Sequence, residues 1–346
     1  MHKRFLPSVL LASLISLTAL QGCKKESSLG VDNDKVVKTP YSLYVANNEG
    51  WLMNSTDGER YNSIFPADGY APHLIVTSGK NLMFLKENLH LSENNGKNFN
   101  PVFRDVKKFP WQTMAYDMPA HKRIYITSNA ARGVSYSDDN GKTWKEELSW
   151  EANLPPAFEV SSFSGLGNGA LFCYSNFNNV LFKKDNEGAA WRPVTMEGLF
   201  PVDGTAYFLT SNNNTLYLTD NNGIGGTWYS EDDGFHWTRV AQGDLPYYKH
   251  YNCAASPAGG RSFLVGTDSM GVYRVDNGRF VSATVGLEKN TTVYSMTVKR
   301  NIYKNDVTRN YVFIATNIGV YRSEDEGRTW DKMTSGPMNG KYVAAY

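Results

Sequence analysis

The sequence predicts an all-β chain of seven small four-stranded antiparallel sheets, set in a ring and closed by the last strand of the polypeptide. Three observations predict it. An eight-residue pattern, Ser-x-Asp-x-Gly-x-Thr-Trp, stands at Ser137–Trp144 and Ser323–Trp330, and at Ser230–Trp237 with His236 in place of Thr. Weaker copies fall between these three at near-constant spacing. The intervening segments are short runs of aromatic and β-branched residues broken by polar turns, with no helical stretch.

Each copy reads as a hairpin corner. Gly141, Gly234 and Gly327 supply a backbone angle that other residues resist. Asp139, Asp232 and Asp325, two residues earlier, are short acceptors for turn N–H groups. Ser137, Ser230 and Ser323 end one strand. Trp144, Trp237 and Trp330 begin the next and bring a large apolar body with an N–H to satisfy. A turn role accounts for every position, so the aspartates need no catalytic or metal-binding explanation.

Aligning on the glycine adds Asn54–Tyr61, Ser92–Phe99, Lys184–Trp191 and Arg274–Val281, the last without its Trp. The seven starts, 54, 92, 137, 184, 230, 274 and 323, lie 38, 45, 47, 46, 44 and 49 residues apart. One four-stranded sheet of such repeats takes ~40–50 residues. With strands A to D counted outward from the axis, blade 2 is expected at 73–77, 82–85, 89–92 and 99–103. Blade 7 is expected at 292–299, 311–316, 320–323 and 330–333. Blade 1 lacks an A strand before Tyr41, and residues 341–346 are a spare strand. Pairing the two closes the ring and removes an open edge.

The chain has 346 residues, 13% of them aromatic, which suits short strands and tight turns. It opens with His2-Lys3-Arg4, an uncharged apolar run from Phe5 to Leu20, and Leu20-Gln21-Gly22-Cys23. That is a targeting segment, too short to span a bilayer comfortably. Residues 23–40 are polar and unpatterned and read as a tether, leaving 41–346 as one domain. Without residues 1–22 the chain holds 33 basic and 34 acidic side chains, a net −1. With no basic stripe, nucleic acid is not an expected partner. Cys173 and Cys253 fall two repeats apart, too far for a disulfide, and are expected as buried free thiols. No metal-ligand spacing and no phosphate-cradling glycine loop occurs, so no metal or cofactor is expected.

The repeated pattern resembles the Asp-box, or BNR repeat. This repeat occurs in sialidases, glucan-cleaving hydrolases, the sortilin ectodomain and photosystem II assembly factors. The resemblance implies a seven-bladed β-propeller in which the box joins the two outer strands of a blade. Enzymes and non-enzymes share that fold, so it does not choose a function. Leu20-Gln21-Gly22-Cys23 resembles a bacterial lipobox. It implies a chain beginning at Cys23, carrying lipid such as palmitate on that residue, and held at the outer membrane on its periplasmic or surface side.

In such a ring the D-to-A and B-to-C connections emerge opposite the boxes, at the mouth of the central channel, where propeller sites usually lie. The D-to-A connections carry their own repeat: Phe65-Pro66, Phe109-Pro110, Leu154-Pro155, Phe200-Pro201 and Leu245-Pro246. Tyr70, Trp111, Tyr247, Tyr248, Lys249 and His250 follow these prolines and are the candidate ligand-binding residues. Flat rings flanked by polar groups suit a sugar or a peptide. The polar B-to-C loops at Asn129 and Asn221-Asn222 share the face.

A sialidase would need three channel arginines, a Tyr–Glu pair, an acidic acid/base and an Arg-Ile-Pro motif. No Arg-Ile-Pro occurs, and Arg60 and Arg104 flank D strands. A glycosidase in general needs two carboxylates ~5–9.5 Å apart. Asp68, Asp117, Asp203, Asp244 and Glu288 are candidates by position alone, and no catalytic residue is assigned. The expectation is a monomeric, lipid-anchored, non-catalytic propeller that binds a glycan or an envelope protein. The alternative is a glycoside hydrolase acting on extracellular polysaccharide.

Overall fold

The computed structural model describes residues 41–345, apart from 58, 66–73, 79–80, 86–87, 104–114, 129–132, 149–159, 177, 200, 202–205, 213, 225, 248–249, 260, 305–306, 334–336 and 338. Among the described residues, strands form seven four-stranded antiparallel sheets. Blade 1 is Gly340–Ala345, Leu43–Asn47, Leu52–Ser55 and Asn62–Phe65; blade 2 is Leu74–Ser78, Asn81–Leu85, Leu89–Ser92 and Asn100–Phe103. Blade 3 is Ala115–Met118, Arg123–Ser128, Gly133–Ser137 and Lys145–Leu148; blade 4 is Ser162–Gly165, Leu171–Ser175, Val180–Lys184 and Arg192–Val194. Blade 5 is Tyr207–Ser211, Leu216–Asp220, Thr227–Ser230 and Thr238–Arg239; blade 6 is Tyr251–Ala255, Leu264–Thr267, Val272–Asp276 and Arg279–Ser282. Blade 7 is Val293–Lys304, Val307–Thr316, Gly319–Ser323 and Asp331–Lys332. The A strands contact one another around a closed circle, so the molecule is a seven-bladed β-propeller.

The expected closure is present. Gly340–Ala345 pairs antiparallel with Leu43–Asn47, from Leu43↔Ala345 to Asn47↔Gly340, and is the innermost strand of blade 1. The blade 7 hairpin runs further than expected, to Lys304 and Val307. Its extension clasps blade 6: Arg300 donates to the carbonyls of Ser256 (2.9 Å) and Pro257 (3.3 Å), and Asn310 Nδ2 donates to Pro257 O at 2.7 Å. Among the described residues a short 3-10 turn, Pro119–His121, interrupts the all-β pattern.

Among the described residues the core is seven apolar clusters, each lying between neighbouring blades. Tyr174 and Leu181 of blade 4 meet Tyr207, Leu218 and Trp228 of blade 5, and Leu43 and Val45 of blade 1 meet Phe313 and Ala315 of blade 7. A sheet covered on both faces buries both sets of alternating side chains. The B strands Leu171–Ser175 and Leu216–Asp220 are accordingly buried throughout, while the rim strands Thr238–Arg239 and Asp331–Lys332 are exposed.

The corners join strands C and D, and their hydrogen bonds repeat. Ser137 Oγ donates to Asp139 Oδ1 (2.8 Å) and accepts from Gly141 N (2.7 Å); Asp139 accepts from Thr143 N (2.9 Å) and Thr143 Oγ1 (2.6 Å). Ser230, Asp232, Gly234 and His236 repeat this set, as do Ser323, Asp325, Gly327 and Thr329. Trp144 and Trp237 return their N–H to the corner carbonyls of Gly141 and Gly234, whereas Trp330 reaches back to Ala283 O at 2.9 Å. The residue before the glycine is also left-handed: Asn95, Asn140, Asp233 and Glu326 have φ of 57, 60, 60 and 63°. Asn and Asp adopt this region more readily than other non-glycine residues.

Three corners depart from the alignment. In blade 1, Ser55 and Asp57 take the Ser and Asp roles, one residue along from the Asn54 alignment, and Asp57 accepts from Glu59 N and Arg60 N. In blade 4, Lys184 replaces the Ser; its buried ammonium donates to Ala189 O and pairs with Glu147 of blade 3 at 2.7 Å. In blade 6 there is no box geometry. Asp276 pairs with Arg279 across a two-residue turn in which Asn277 and Gly278 both have positive φ, as a type I′ hairpin requires.

These corners set an acid limit. Burial opposes ionisation of Asp139, but bonds from the Thr143 hydroxyl and N–H and from Ser137 outweigh it and hold the carboxyl at about 2. Asp232 and Asp325 are lowered by the same balance, and Asp57 chiefly by the N–H groups of Arg60 and Glu59. A depressed carboxyl stabilises above its unfolded pKa near 3.8 and loses that contribution as pH falls through the folded value. The melting temperature is therefore expected to drop between about pH 4 and pH 2, and Asp139→Asn should flatten the drop in a pH series of thermal melts. His121 adds an earlier loss. It is buried between Gly169 O (2.6 Å) and Tyr125 OH (2.8 Å), and burial lowers its pKa, so the unfolded chain takes up that proton first as pH falls through 6.5.

Candidate functional site

The antiparallel order A-B-C-D puts the A-to-B and C-to-D turns on one face of the ring and the B-to-C and D-to-A connections on the other. On the second face, the A strands of blades 3 to 6 and the adjoining loops line an open cavity of about 550 Å³ at the channel mouth. Its polar lining comes from Ser161 and Ser162 at the start of blade 4, Asn176 and Asn221 in B-to-C turns, Thr210 in blade 5, and His250 and Asn252 at the start of blade 6. Tyr207, Phe208 and Tyr251 supply aromatic surface. No Asp, Glu, Lys or Arg is among the described lining residues.

Hydrogen bonds within blade 4 and between neighbouring blades hold these groups. Ser161 Oγ accepts from Asn176 N (2.9 Å), Asn176 Oδ1 accepts from Tyr207 N (2.7 Å), and Ser162 Oγ accepts from Leu209 N (2.9 Å). Asn221 accepts from Tyr251 N through its backbone carbonyl at 2.8 Å, and Asn252 Nδ2 donates to Val293 O at 3.0 Å. The Asn221 Oδ1 is buried and has no partner among the described residues. Tyr251 donates to Pro246 O at 2.6 Å and takes a bond from Gln242, which pins the Leu245-Pro246 connection; burial pushes its phenol up to about 12.

Of the candidate residues, His250 is exposed and lines the cavity, and Tyr247 is exposed in the connection before it. Tyr70, Trp111, Tyr248 and Lys249 lie outside the described residues, as do Cys23, Asn129, Asp68 and Asp203. Two further exposed apolar residues, Ile224 (42%) and Met270 (40%), join Tyr247 (54%) on this face. Their loops are bonded together: Tyr251 N reaches Asn221 O, and Asp268 N reaches His250 O at 3.0 Å.

Neither thiol forms a disulfide. Cys173 is fully buried, but Cys253 is only partly so and lines the cavity, a correction to the expectation of two buried thiols. Its sulfur lies against Gly266, and burial pushes the thiol up to about 12. Two candidate carboxylates sit elsewhere. Glu288 is tied to Lys332 (2.7 Å) and the Tyr321 hydroxyl, and Asp244 accepts from Ser282 N at 3.4 Å. Asp117 lies in the A strand of blade 3.

Sequence reading named the B-to-C loop at Asn221-Asn222 but did not group Asn221 with Asn176, Ser161 and Asn252, which line one cavity. The available signal was the Asn that opens the B-to-C turns at 176, 221 and 317.

No family model matches the chain, and no curated protein sequence matches it. Solved structures match in fold. An ancestral GH74 enzyme has a TM-score of 0.54 at 17% identity, over 75% of this chain and 38% of the enzyme. The chain therefore spans well under half of that enzyme's length. YCF48 from Cyanidioschyzon merolae has a TM-score of 0.55 at 14% identity, over 80% of this chain and 89% of its own. YCF48 bound to D1 peptide has a TM-score of 0.53 at 12% identity, over 89% of both chains.

Proposed function

We propose that this chain is a lipid-anchored, non-catalytic envelope propeller that binds a glycan or a protein partner through its B-to-C and D-to-A face. One observation carries the reading: a cavity of about 550 Å³ and three exposed apolar side chains, Ile224, Tyr247 and Met270, share the channel-mouth face. Site volumes of ~300–1,000 Å³ with a few convergent polar groups are typical of ligand pockets. Glycoside hydrolysis needs paired carboxylates. The described lining holds none, and Asp244 and Glu288 are engaged away from it. The lipobox-like ending at Cys23 supports an outer-membrane location in this reading, with residues 23–40 as tether and 41–346 as the binding domain.

The test uses full-length protein in a bacterial envelope. Wild type is expected in the membrane fraction and labelled by a palmitate analogue, and Cys23→Ala in neither. A glycan array and cross-linking in intact cells should return a specific ligand that Tyr247→Ala with Met270→Ala loses without a change in melting temperature. Turnover of aryl-glycosides that disappears with Asp117→Asn would replace this reading with the hydrolase.

A further inference from the structure

We infer that the channel-mouth cavity is a subsite for an uncharged, polyhydroxylated ligand, the terminal residue of a neutral glycan. This rests on the binding reading above and narrows it. The described lining presents both donors and acceptors and holds no Asp, Glu, Lys or Arg. Ser161 and Ser162 each accept a backbone N–H, from Asn176 and Leu209, so each hydroxyl proton is left to donate. Asn176 is oriented by the Tyr207 N–H on its Oδ1, which leaves its NH₂ as a donor. Asn252 is oriented the other way: its Nδ2 is spent on Val293 O, leaving Oδ1 as an acceptor. Asn221 also lines the cavity, and its Oδ1 is buried without a partner among the described residues.

A buried acceptor without a donor is unfavourable unless a ligand or water supplies one. A sugar hydroxyl both donates and accepts, so a pyranose can satisfy both halves of this set. Among the described lining residues a carboxylate or phosphate would find no Lys or Arg to offset its desolvation, and an ammonium would find no Asp or Glu. Tyr207 and Phe208 provide flat apolar surface for the ring's C–H face. The volume admits about one or two pyranose rings, which fits the end of a chain.

The experiment is calorimetric titration of the protein with glucose, galactose, mannose, xylose, N-acetylglucosamine and neutral tetrasaccharides built from them. Glucuronic acid and sialic acid are the charged comparisons. At least one neutral sugar is expected to bind saturably, with a Kd between about 10 µM and 10 mM. The affinity should not change between low and high salt, because no charge pair is involved. Asn221→Leu, close to isosteric, and Thr210→Val should each weaken binding by about tenfold while leaving the thermal melt in place. The inference is overturned by no saturable neutral ligand up to ~50 mM, by preference for a charged sugar, or by binding that both variants leave unchanged. If the panel fails while a partner dependent on Tyr247 and Met270 is still captured, only this inference falls. If both fail, the binding reading falls with it.

Discussion

Removing residues 340–346 is expected to take away most of the protein's resistance to heat. The strand Gly340–Ala345 supplies a five-position ladder to Leu43–Asn47, a strand buried along its whole length. It also contacts the A strands of blades 2 and 7. Val343 and Ala344 are buried, Val343 N donates to Ser295 Oγ of blade 7 at 3.3 Å, and the Lys341 ammonium stands 4.1 Å from the centre of the Tyr294 ring. Ladder bonds contribute ~0.5–1.5 kcal/mol each, and burying a Val about 1.5–3 kcal/mol. The loss is then about 5 kcal/mol or more, a large part of a domain's whole stability of ~5–15 kcal/mol. Scanning calorimetry should show the transition lowered by roughly 10 °C or more. An unchanged transition would mean that the ring does not depend on this strand.

Gly286→Ala should cost nearly as much, for a reason that no local pattern announces. Three connections after D strands form a parallel bridge to the corner region of the following blade: Glu197 to His236, Ala241 to Arg279 and Val285 to Thr329. In the last of these, Trp330 N donates to Val285 O at 2.9 Å. Gly198, Gly243 and Gly286 lie one or two residues further along, with φ of 80, 53 and 90°. A Cβ on Gly286 would collide with the Trp330 carbonyl, which is backbone and has little room to move. The left-handed angle costs an L-residue ~1–2 kcal/mol, and displacing packed structure adds ~1–3 kcal/mol. The expected loss in urea unfolding is about 3–5 kcal/mol. Gly278→Ala is the control. It carries the same kind of angle at φ 77°, but nothing lies within 4 Å of the added carbon. It should lose only the angular part, and equal losses for the two variants would show that the bridge contributes nothing.

The two variants divide what could and could not be read in advance. The closing strand was legible because a spare β run at one end and a missing A strand at the other are both visible in linear order. The corners were legible because their bonds span at most four residues, as from Ser137 to Gly141 and from Asp139 to Thr143. Where the local chemistry changes, alignment misled. Ser55 and Asp57 carry the blade 1 corner in place of the Asn54 register, and Asn277-Gly278 makes a two-residue turn in blade 6. The longer blade 7 hairpin was missed because the contacts of Arg300 and Asn310 with Ser256 and Pro257 lie more than forty residues away in the chain.

The sequence by itself determined the ring: seven sheets, their corners and the strand that seals them, because turn chemistry and strand alternation are local and repeat along the chain. It also determined which face was free of those corners. Only the tertiary structure decided what that face holds. Ser161, Asn176, Asn221 and Asn252 belong to three different blades, and each is an ordinary turn or strand residue in its own segment. They become one polar cavity only when the ring brings the inner strands together, since hydrogen bonds across blade boundaries orient Asn176 and Asn252.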